Sequence, residues 1–173
     1  FMLDGRSASA AMAVERVVKH VGPFRFFGKV VTGFKRGSKQ LGWPTANLDP
    51  AAFEHALDTS EEGVYVGWAM IQDSRLPEKA QHVHKAVLSI GWNPYYQNKQ
   101  RTVEAYICHD FEGADFYDAQ MKLLICTFLR PQANFNSLDA LKEAITGDVE
   151  FGQKVLDQPD MVKLKSDPFF AST

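Results

Sequence analysis

The sequence has little cysteine, no long apolar run and no excess of charge of one sign. Its only cysteines are Cys108 and Cys126, so a disulfide framework is not what holds this chain together. No apolar stretch approaches the length of about 18 residues that would span a bilayer. With 19 basic and 21 acidic residues the formal net charge is -2, which gives no electrostatic reason to bind nucleic acid or an anionic membrane. A specific small ligand is therefore the favoured partner.

The length of 173 residues predicts one globular unit, since domains commonly have about 150 residues. We place this domain at residues 23–173 and treat residues 1–22 as an extension, either a leader segment or a remnant of cloning. Apolar residues at helical spacing predict a short helix there: Ala13, Val14, Val17, Val18 and Val21. The extension is rich in Ala and Ser and leaves organelle targeting open, although its acidic residues weaken that interpretation. The expected compartment is the cytoplasm.

Short β-like runs separated by Gly, Pro and Asn dominate from Phe24 onward. The predicted strands are Phe24 to Val31, Gly63 to Ile71, Val83 to Ile90, Thr102 to Cys108 and Ala119 to Leu129. The last is apolar on both faces toward its end, as expected for a strand between a sheet and a covering helix. No long crossover helices alternate with the strands, so a parallel Rossmann-type sheet is disfavoured.

A helix is predicted after the strands. Ser137 is a plausible N-cap, Leu138, Leu141 and Ile145 form one apolar stripe, and Gly147 is a natural terminator. Five or six strands followed by a helix predict a small antiparallel β-barrel with the helix packed over it.

The most informative stretch is the Gly-rich basic loop from Gly33 to Asn47. Its three glycines allow successive N–H groups to converge on an anion, and its cations raise the local positive potential. The segment fails the P-loop test because Trp-Pro follows Gly42 where Lys-Ser or Lys-Thr is required. Such a loop is more often a surface connection, so alone it favours phosphate binding only weakly.

Pro44-Thr45-Ala46-Asn47 strengthens that interpretation. In an extended chain the side chains of Thr45 and Asn47 leave the same face and could offer a hydroxyl and an amide oxygen to one hard cation. The alternative is an ordinary Asn-containing turn. On the strand Thr102 to Cys108, alternation places Glu104 on the same face as Thr102 and Tyr106, where its carboxylate could serve as a general base. A solvent-facing strand Glu is the commoner explanation for such a residue.

These segments together resemble the riboflavin kinase family, over nearly all of Pro23 to Phe170. The most specific parts are Pro-Thr-Ala-Asn after the Gly-rich loop and Ser89-Ile-Gly-Trp-Asn-Pro94 ahead of the Glu104 strand. The resemblance implies a six-stranded antiparallel barrel of the Greek-key type. It also implies transfer of the ATP γ-phosphoryl group to the terminal ribityl hydroxyl of riboflavin, giving FMN and ADP.

The resemblance further implies roles for individual residues. Thr45 and Asn47 would hold a divalent metal, with Mg²⁺ the expected ion, together with the nucleotide phosphates. Gly33 and Lys39 would belong to the phosphate-binding loop, and Glu104 would be the catalytic base. On the flavin side we expect Tyr117, Arg130 and Phe135. A core position for Phe135 and an ion pair of Arg130 with a carboxylate such as Asp148 are equally compatible with the sequence.

Two further expectations concern the whole chain. The residues ahead of Pro23 are too few for the adenylyltransferase domain of fused bacterial relatives, so FAD synthesis is not expected of this chain. A monomer is expected from the neutral composition. The competing function is a non-catalytic flavin- or nucleotide-binding β-barrel, which would bind its ligand without turnover.

Overall fold

Six β-strands form one closed antiparallel barrel in the computed structural model, which describes residues 14–33, 42–93 and 100–171. The strands are β1 (Lys19–Val31), β2 (Ala46–Leu48), β3 (Gly63–Gln72), β4 (His84–Trp92), β5 (Arg101–Ile107) and β6 (Gln120–Pro131). Their order around the barrel is β1-β2-β5-β4-β3-β6, a crossover order of the Greek-key type. The predicted six-stranded barrel is confirmed.

Helical segments follow the last strand and also interrupt the loops. The α-helices are α1 (Leu138–Leu156), α2 (Pro159–Val162) and α3 (Pro168–Ala171), and short 3₁₀ helices span Pro50–Ala52, Glu78–Gln81 and Lys163–Ser166. The predicted N-cap of α1 is confirmed, because Ser137 Oγ accepts a hydrogen bond of 3.1 Å from the Ala140 amide. Across the described ranges, no helix has the length and apolar character that a membrane crossing requires.

The barrel wall separates two apolar cores. Inward side chains of all six strands fill the interior, among them Leu48, Ile71, Leu88, Val103 and Leu123. Outward side chains of β3, β4 and β6 meet Val155 and Leu156 of α1. Strand β6 is therefore buried on both faces, as its composition predicted. Burial of Cys126 on the outer face raises the pKa of its thiol to about 11.

The predicted N-terminal helix is wrong over the part that the structure describes. Residues 14–18 form no helix, and Lys19 to Val21 belong to β1, which pairs with β6. The Val17 amide donates to the Leu129 carbonyl at 2.7 Å. Valines at helical spacing are also good strand residues, and pairing with β6 decides between the two structures here. Residues 1–13 lie outside the described ranges.

Two details of the predicted helix α1 are also wrong. Gly147 does not end the helix, which continues to Leu156, and Leu138 remains 51% exposed while Leu141 and Ile145 are buried. Gly147 instead permits a close approach, because a Cβ at this position would lie 2.5 Å from Nη2 of Arg16. Gly147 is thus a glycine in the helix interior that serves packing and not termination.

The short strand β2 positions the Pro-Thr-Ala-Asn segment. It bridges two longer strands, since Asn47 lies opposite Val31 of β1 on one side and opposite Glu104 of β5 on the other. Its three residues are too few to show an alternating pattern, so the strand was not predicted separately. Through β2 the end of the Gly-rich loop is joined to the Glu104 strand.

Candidate active site

Three oxygen-bearing side chains meet where β2 pairs with β5. Asn47 and Glu104 are direct cross-strand partners, and Thr45 Oγ1 donates a hydrogen bond to Glu104 Oε1. Ala46 and Ala105, the intervening residues, are buried in the barrel interior. Because successive strand side chains alternate, Asn47 and Glu104 lie on the outer face. We call Thr45, Asn47 and Glu104 the oxygen cluster.

Gly33 lies against this cluster. A Cβ at Gly33 would be 2.1 Å from Nδ2 of Asn47, which is far inside van der Waals contact. Glycine therefore allows the backbone that enters the Gly-rich loop to lie on the Asn47 amide without displacing it. Lys39, the other predicted member of this loop, lies outside the described residues.

A row of outward residues extends from the oxygen cluster across the barrel. Ser89 of β4 is opposite Glu104, Val64 of β3 is opposite Ser89, and Arg130 of β6 is opposite Val64. Gln132 covers part of this row, because its Nε2 donates to Ser89 Oγ at 2.8 Å. The row links the predicted metal ligands to the predicted flavin side. Gln132 lies in the segment between Arg130 and Phe135, but no local sequence pattern indicates its contact with Ser89.

Arg130 forms a buried ion pair with Asp148 of α1. Its Nη2 lies 2.7 Å from Asp148 Oδ2 and its Nε lies 2.9 Å from Oδ1, with 2% and 0% of the two side chains exposed. This is the carboxylate pairing that the sequence left open as an alternative. Phe135 is buried with Leu141 and Ile145, and the Arg130 guanidinium lies 5.8 Å from its ring centroid. Arg130 and Phe135 are thus neighbours beneath α1.

Tyr117 lies away from those two residues. It precedes β6, whereas Arg130 is near the end of that strand, and ten residues of strand extend over roughly 30 Å. The Tyr117 carbonyl accepts from Arg75, and the following Asp118 amide donates to the Val30 carbonyl at 2.9 Å. The structure therefore brings Tyr117 to the end of β1 that leads into the Gly-rich loop. Tyr117 and Arg130 therefore lie at opposite ends of β6.

Aromatic and imidazole rings gather where β4 begins and β5 ends. The rings of His84 and His109 stack with centroids 4.1 Å apart, and Phe111 meets the His109 ring at 4.9 Å. Burial, and then the charge of His109, lower the pKa of His84 below its ordinary value. Burial raises the pKa of Tyr106, so this phenol beside Glu104 on β5 stays neutral at physiological pH.

The chain was compared with known proteins. The family model described as riboflavin kinase matches residues 21–156. The chain belongs to the riboflavin kinase family. Mouse riboflavin kinase is 45% identical over 148 residues, and the match covers 86% of this chain and 90% of the mouse protein. Human riboflavin kinase is 43% identical over 148 residues, and the match again covers 86% of this chain and 90% of the human protein. These matches confirm the resemblance seen in the sequence motifs.

The fold agrees with that of a solved family member. The crystal structure of riboflavin kinase from Trypanosoma brucei superposes with a TM-score of 0.66 at 32% sequence identity. The superposition covers 87% of this chain and 92% of the trypanosome chain. The barrel is therefore the riboflavin kinase fold rather than an unrelated barrel of similar size.

Proposed function

We propose that this riboflavin kinase transfers the γ-phosphoryl group of ATP to the terminal ribityl hydroxyl of riboflavin at the oxygen cluster. The contact of Thr45 with Glu104, and the pairing of Glu104 with Asn47, carry the proposal. In the reaction the bond from the γ-phosphorus to the β–γ bridging oxygen breaks and a bond to the ribityl oxygen forms. ADP leaves, and the hydroxyl proton passes to the protein. The family match favours this enzyme over a non-catalytic binding barrel.

The donor chemistry of the oxygen cluster fits a divalent cation. A threonine hydroxyl and an asparagine amide oxygen are hard ligands of the kind that Mg²⁺ prefers, and Mg²⁺ commonly takes one or two protein groups together with phosphate oxygens and water. Thr45 and Asn47 would hold the ion. When bound, it would neutralise charge on the transferring phosphoryl group. Gly33 supports this site by fixing the Asn47 amide through the close approach described above.

Glu104 is the proposed base. A carboxylate of ordinary basicity suffices, because the attacking hydroxyl loses its proton late in a loose phosphoryl-transfer transition state. What the residue must supply is position, and its place opposite Asn47 on a paired strand, with a hydrogen bond from Thr45, holds the carboxylate on the outer wall of the barrel. Glu104 thus orients the ribityl hydroxyl and accepts its proton.

The two substrates then approach the oxygen cluster from different sides. Gly33, and Lys39 further along the same loop, are the proposed contacts of the ATP phosphates. Arg130 and Phe135, at the other end of the outward row, are the proposed flavin side. Tyr117 was expected to contact flavin as well, but its place beside the end of β1 favours the ATP side. This arrangement separates the two ligands along the barrel wall, with the reacting atoms between them.

The remaining proposals concern the oligomeric state, the compartment and the partners of the protein. With a net charge of -2 and no strongly basic composition, we propose that the protein acts as a monomer in the cytoplasm on small molecules, and that it does not bind nucleic acid.

A turnover assay tests the proposed function. The chain incubated with riboflavin and magnesium-ATP should produce FMN and ADP in equal amounts. Chromatography measures the amounts of both products. Omission of riboflavin is the control, since it should abolish ADP formation. Tight binding of riboflavin without formation of ADP would contradict the enzyme and favour the non-catalytic barrel.

A further inference from the structure

Arg16 precedes the span that matches the family model, yet it reaches into helix α1. Its Nε donates to Asp148 Oδ1 at 2.8 Å, and its Nη2 donates to the Ala144 carbonyl at 2.8 Å. Its Nη1 lies 3.3 Å from the Val14 carbonyl. Only 18% of the Arg16 side chain is exposed. A side chain with three partners and so little exposure is fixed in place rather than solvated.

Arg16 shares its carboxylate with Arg130. Asp148 is fully buried and lies between the two guanidinium groups, with Oδ1 accepting from the Nε atoms of both. We call these three residues the Asp148 cluster. Its formal charge is +1, so the cluster presents an excess of positive charge next to Phe135. A buried carboxylate of this kind depends on its partners for position as well as for charge.

Gly147 is shaped to the Arg16 side chain. It lies inside α1, where glycine is less favourable than alanine. A Cβ at Gly147 would lie 2.5 Å from Nη2 and 2.9 Å from Cζ of Arg16, so any other residue would displace the guanidinium. The lower helix propensity of Gly147 is therefore offset by the space that it leaves for the Arg16 guanidinium.

The segment that carries Arg16 is fixed at two other points. The Val17 amide donates to the Leu129 carbonyl at 2.7 Å, which ties the segment to the end of β6 beside Arg130. Val14 packs against the cluster of Phe135, Leu141 and Ile145, as does Trp43. The segment thus follows the edge of the proposed flavin side.

We infer that Arg16 is a positioning residue for the riboflavin pocket, acting through Asp148 to hold Arg130. The inference rests on the proposed function, in which Arg130 and Phe135 form the flavin side. Arg16 itself touches neither substrate. Because it has no contact with the oxygen cluster among the described residues, its loss should affect riboflavin recognition and leave phosphoryl transfer and ATP binding in place.

Steady-state kinetics of Arg16→Ala test this inference. We expect the KM for riboflavin to rise about tenfold, with kcat and the KM for ATP within about twofold of wild type. Arg16→Lys should restore part of the riboflavin KM, since it keeps one charged donor for Asp148. The matched control is Arg25→Ala, which removes an exposed ion pair between β1 and Asp167 and should leave the riboflavin KM unchanged.

Gly147→Ala provides a second route to the same site. In the wild-type background its methyl group should displace Arg16 and raise the riboflavin KM. In the Arg16→Ala background the obstacle is gone, so the same substitution should leave that KM unchanged and raise the Tm through better helix propensity. Non-additivity of the two substitutions would therefore support the inference.

The Kd for riboflavin, from quenching of flavin fluorescence, separates this inference from the proposed function. Suppose that the wild-type protein binds riboflavin without turnover and that the Arg16→Ala variant binds it more weakly. This result would refute the kinase mechanism and support the positioning role of Arg16. An active wild type with equal riboflavin KM and Kd in wild type and Arg16→Ala would overturn the inference. If Arg16→Ala does not fold, wild-type riboflavin KM values in both Arg16→Lys and Gly147→Ala would overturn it instead.

Discussion

At the scale of single residues, the proposed function depends on where Glu104 lies. Thr45 donates to its carboxylate and Asn47 faces it across the strand pair. Both contacts are local consequences of the short strand β2. The oxygen cluster is thus built from backbone pairing, and single substitutions can test each member without disturbing the barrel core.

Glu104→Gln should lower kcat by about 10²–10⁴ while the riboflavin KM stays within a few-fold, because a positioned base acts mainly in the transition state. Glutamine keeps the shape of the side chain and can still accept the hydrogen bond from Thr45. Glu61→Gln, at a carboxylate that is half-exposed before β3, is the matched control and should retain wild-type turnover. An unchanged kcat in Glu104→Gln would remove the residue from the role of base.

Gly33→Ala should raise the KM for magnesium-ATP by roughly tenfold, since its methyl group would push the Asn47 amide out of place. The protein should still fold, because the clash is with the end of a side chain. Gly91→Ala is the control, as a methyl group there meets nothing closer than 3.7 Å. Equal ATP KM values for the two variants would show that Gly33 does not support the nucleotide site.

At the scale of elements, helix α1 is joined to the barrel by a buried charge cluster as well as by apolar packing. Asp148 is the only member of its cluster on α1, and it meets Arg130 of β6 and Arg16 of the segment before β1. Burying charge in this way is stable only while every member is present. The helix position therefore responds to the loss of one carboxylate.

Asp148→Ala should lower the free energy of unfolding by about 3–5 kcal/mol, because it leaves buried guanidinium charge without a partner. Urea denaturation followed by far-UV circular dichroism measures the change. Asp160→Ala is the control, since that carboxylate is 84% exposed and its ion pair with Lys163 should contribute about 0.5 kcal/mol or less. A loss below about 1 kcal/mol for Asp148→Ala would contradict the importance of the cluster.

The stack of His84 on His109 makes stability depend on pH where β4 begins and β5 ends. Burial and the neighbouring imidazole hold the pKa of His84 below its ordinary value of 6.5, so the unfolded chain binds the proton at higher pH than the folded chain does. The contribution of this residue is present above pH 6.5 and is lost as the pH falls below it. Urea midpoints at pH 7.5 and 5.5 should therefore differ less in His84→Gln than in wild type. His55→Gln, at a ring that is 89% exposed, is the control, and equal differences in all three proteins would contradict the effect.

At the scale of the whole molecule, local patterns predicted most of the barrel. Alternation indicated β3 and β5, an apolar run on both faces indicated the doubly buried β6, and Ser137 indicated the start of α1. The errors have physical reasons. Valines before β1 suit a helix or a strand, and only pairing with β6 decides between them, while Gly147 serves packing against a side chain more than a hundred residues earlier.

The candidate site was harder to predict from local sequence patterns than the fold was. Thr45 and Glu104 are 59 residues apart, and nothing in either segment fixes the register that joins them. Their proposed shared role rests on the resemblance to riboflavin kinase, and the β2–β5 pairing brings the two segments together. The partner of Arg130 was left open for the same reason, because a helix packed across the sheet supplies it.

The measurement that tests the central claim most directly is a crystal structure of the chain with riboflavin, ADP and Mg²⁺. The account predicts the ion on the Thr45 hydroxyl and the Asn47 amide oxygen, and the terminal ribityl hydroxyl within about 3 Å of a Glu104 carboxylate oxygen. A complex in which the ribityl chain ends far from Glu104, or in which the ion binds elsewhere, would contradict it.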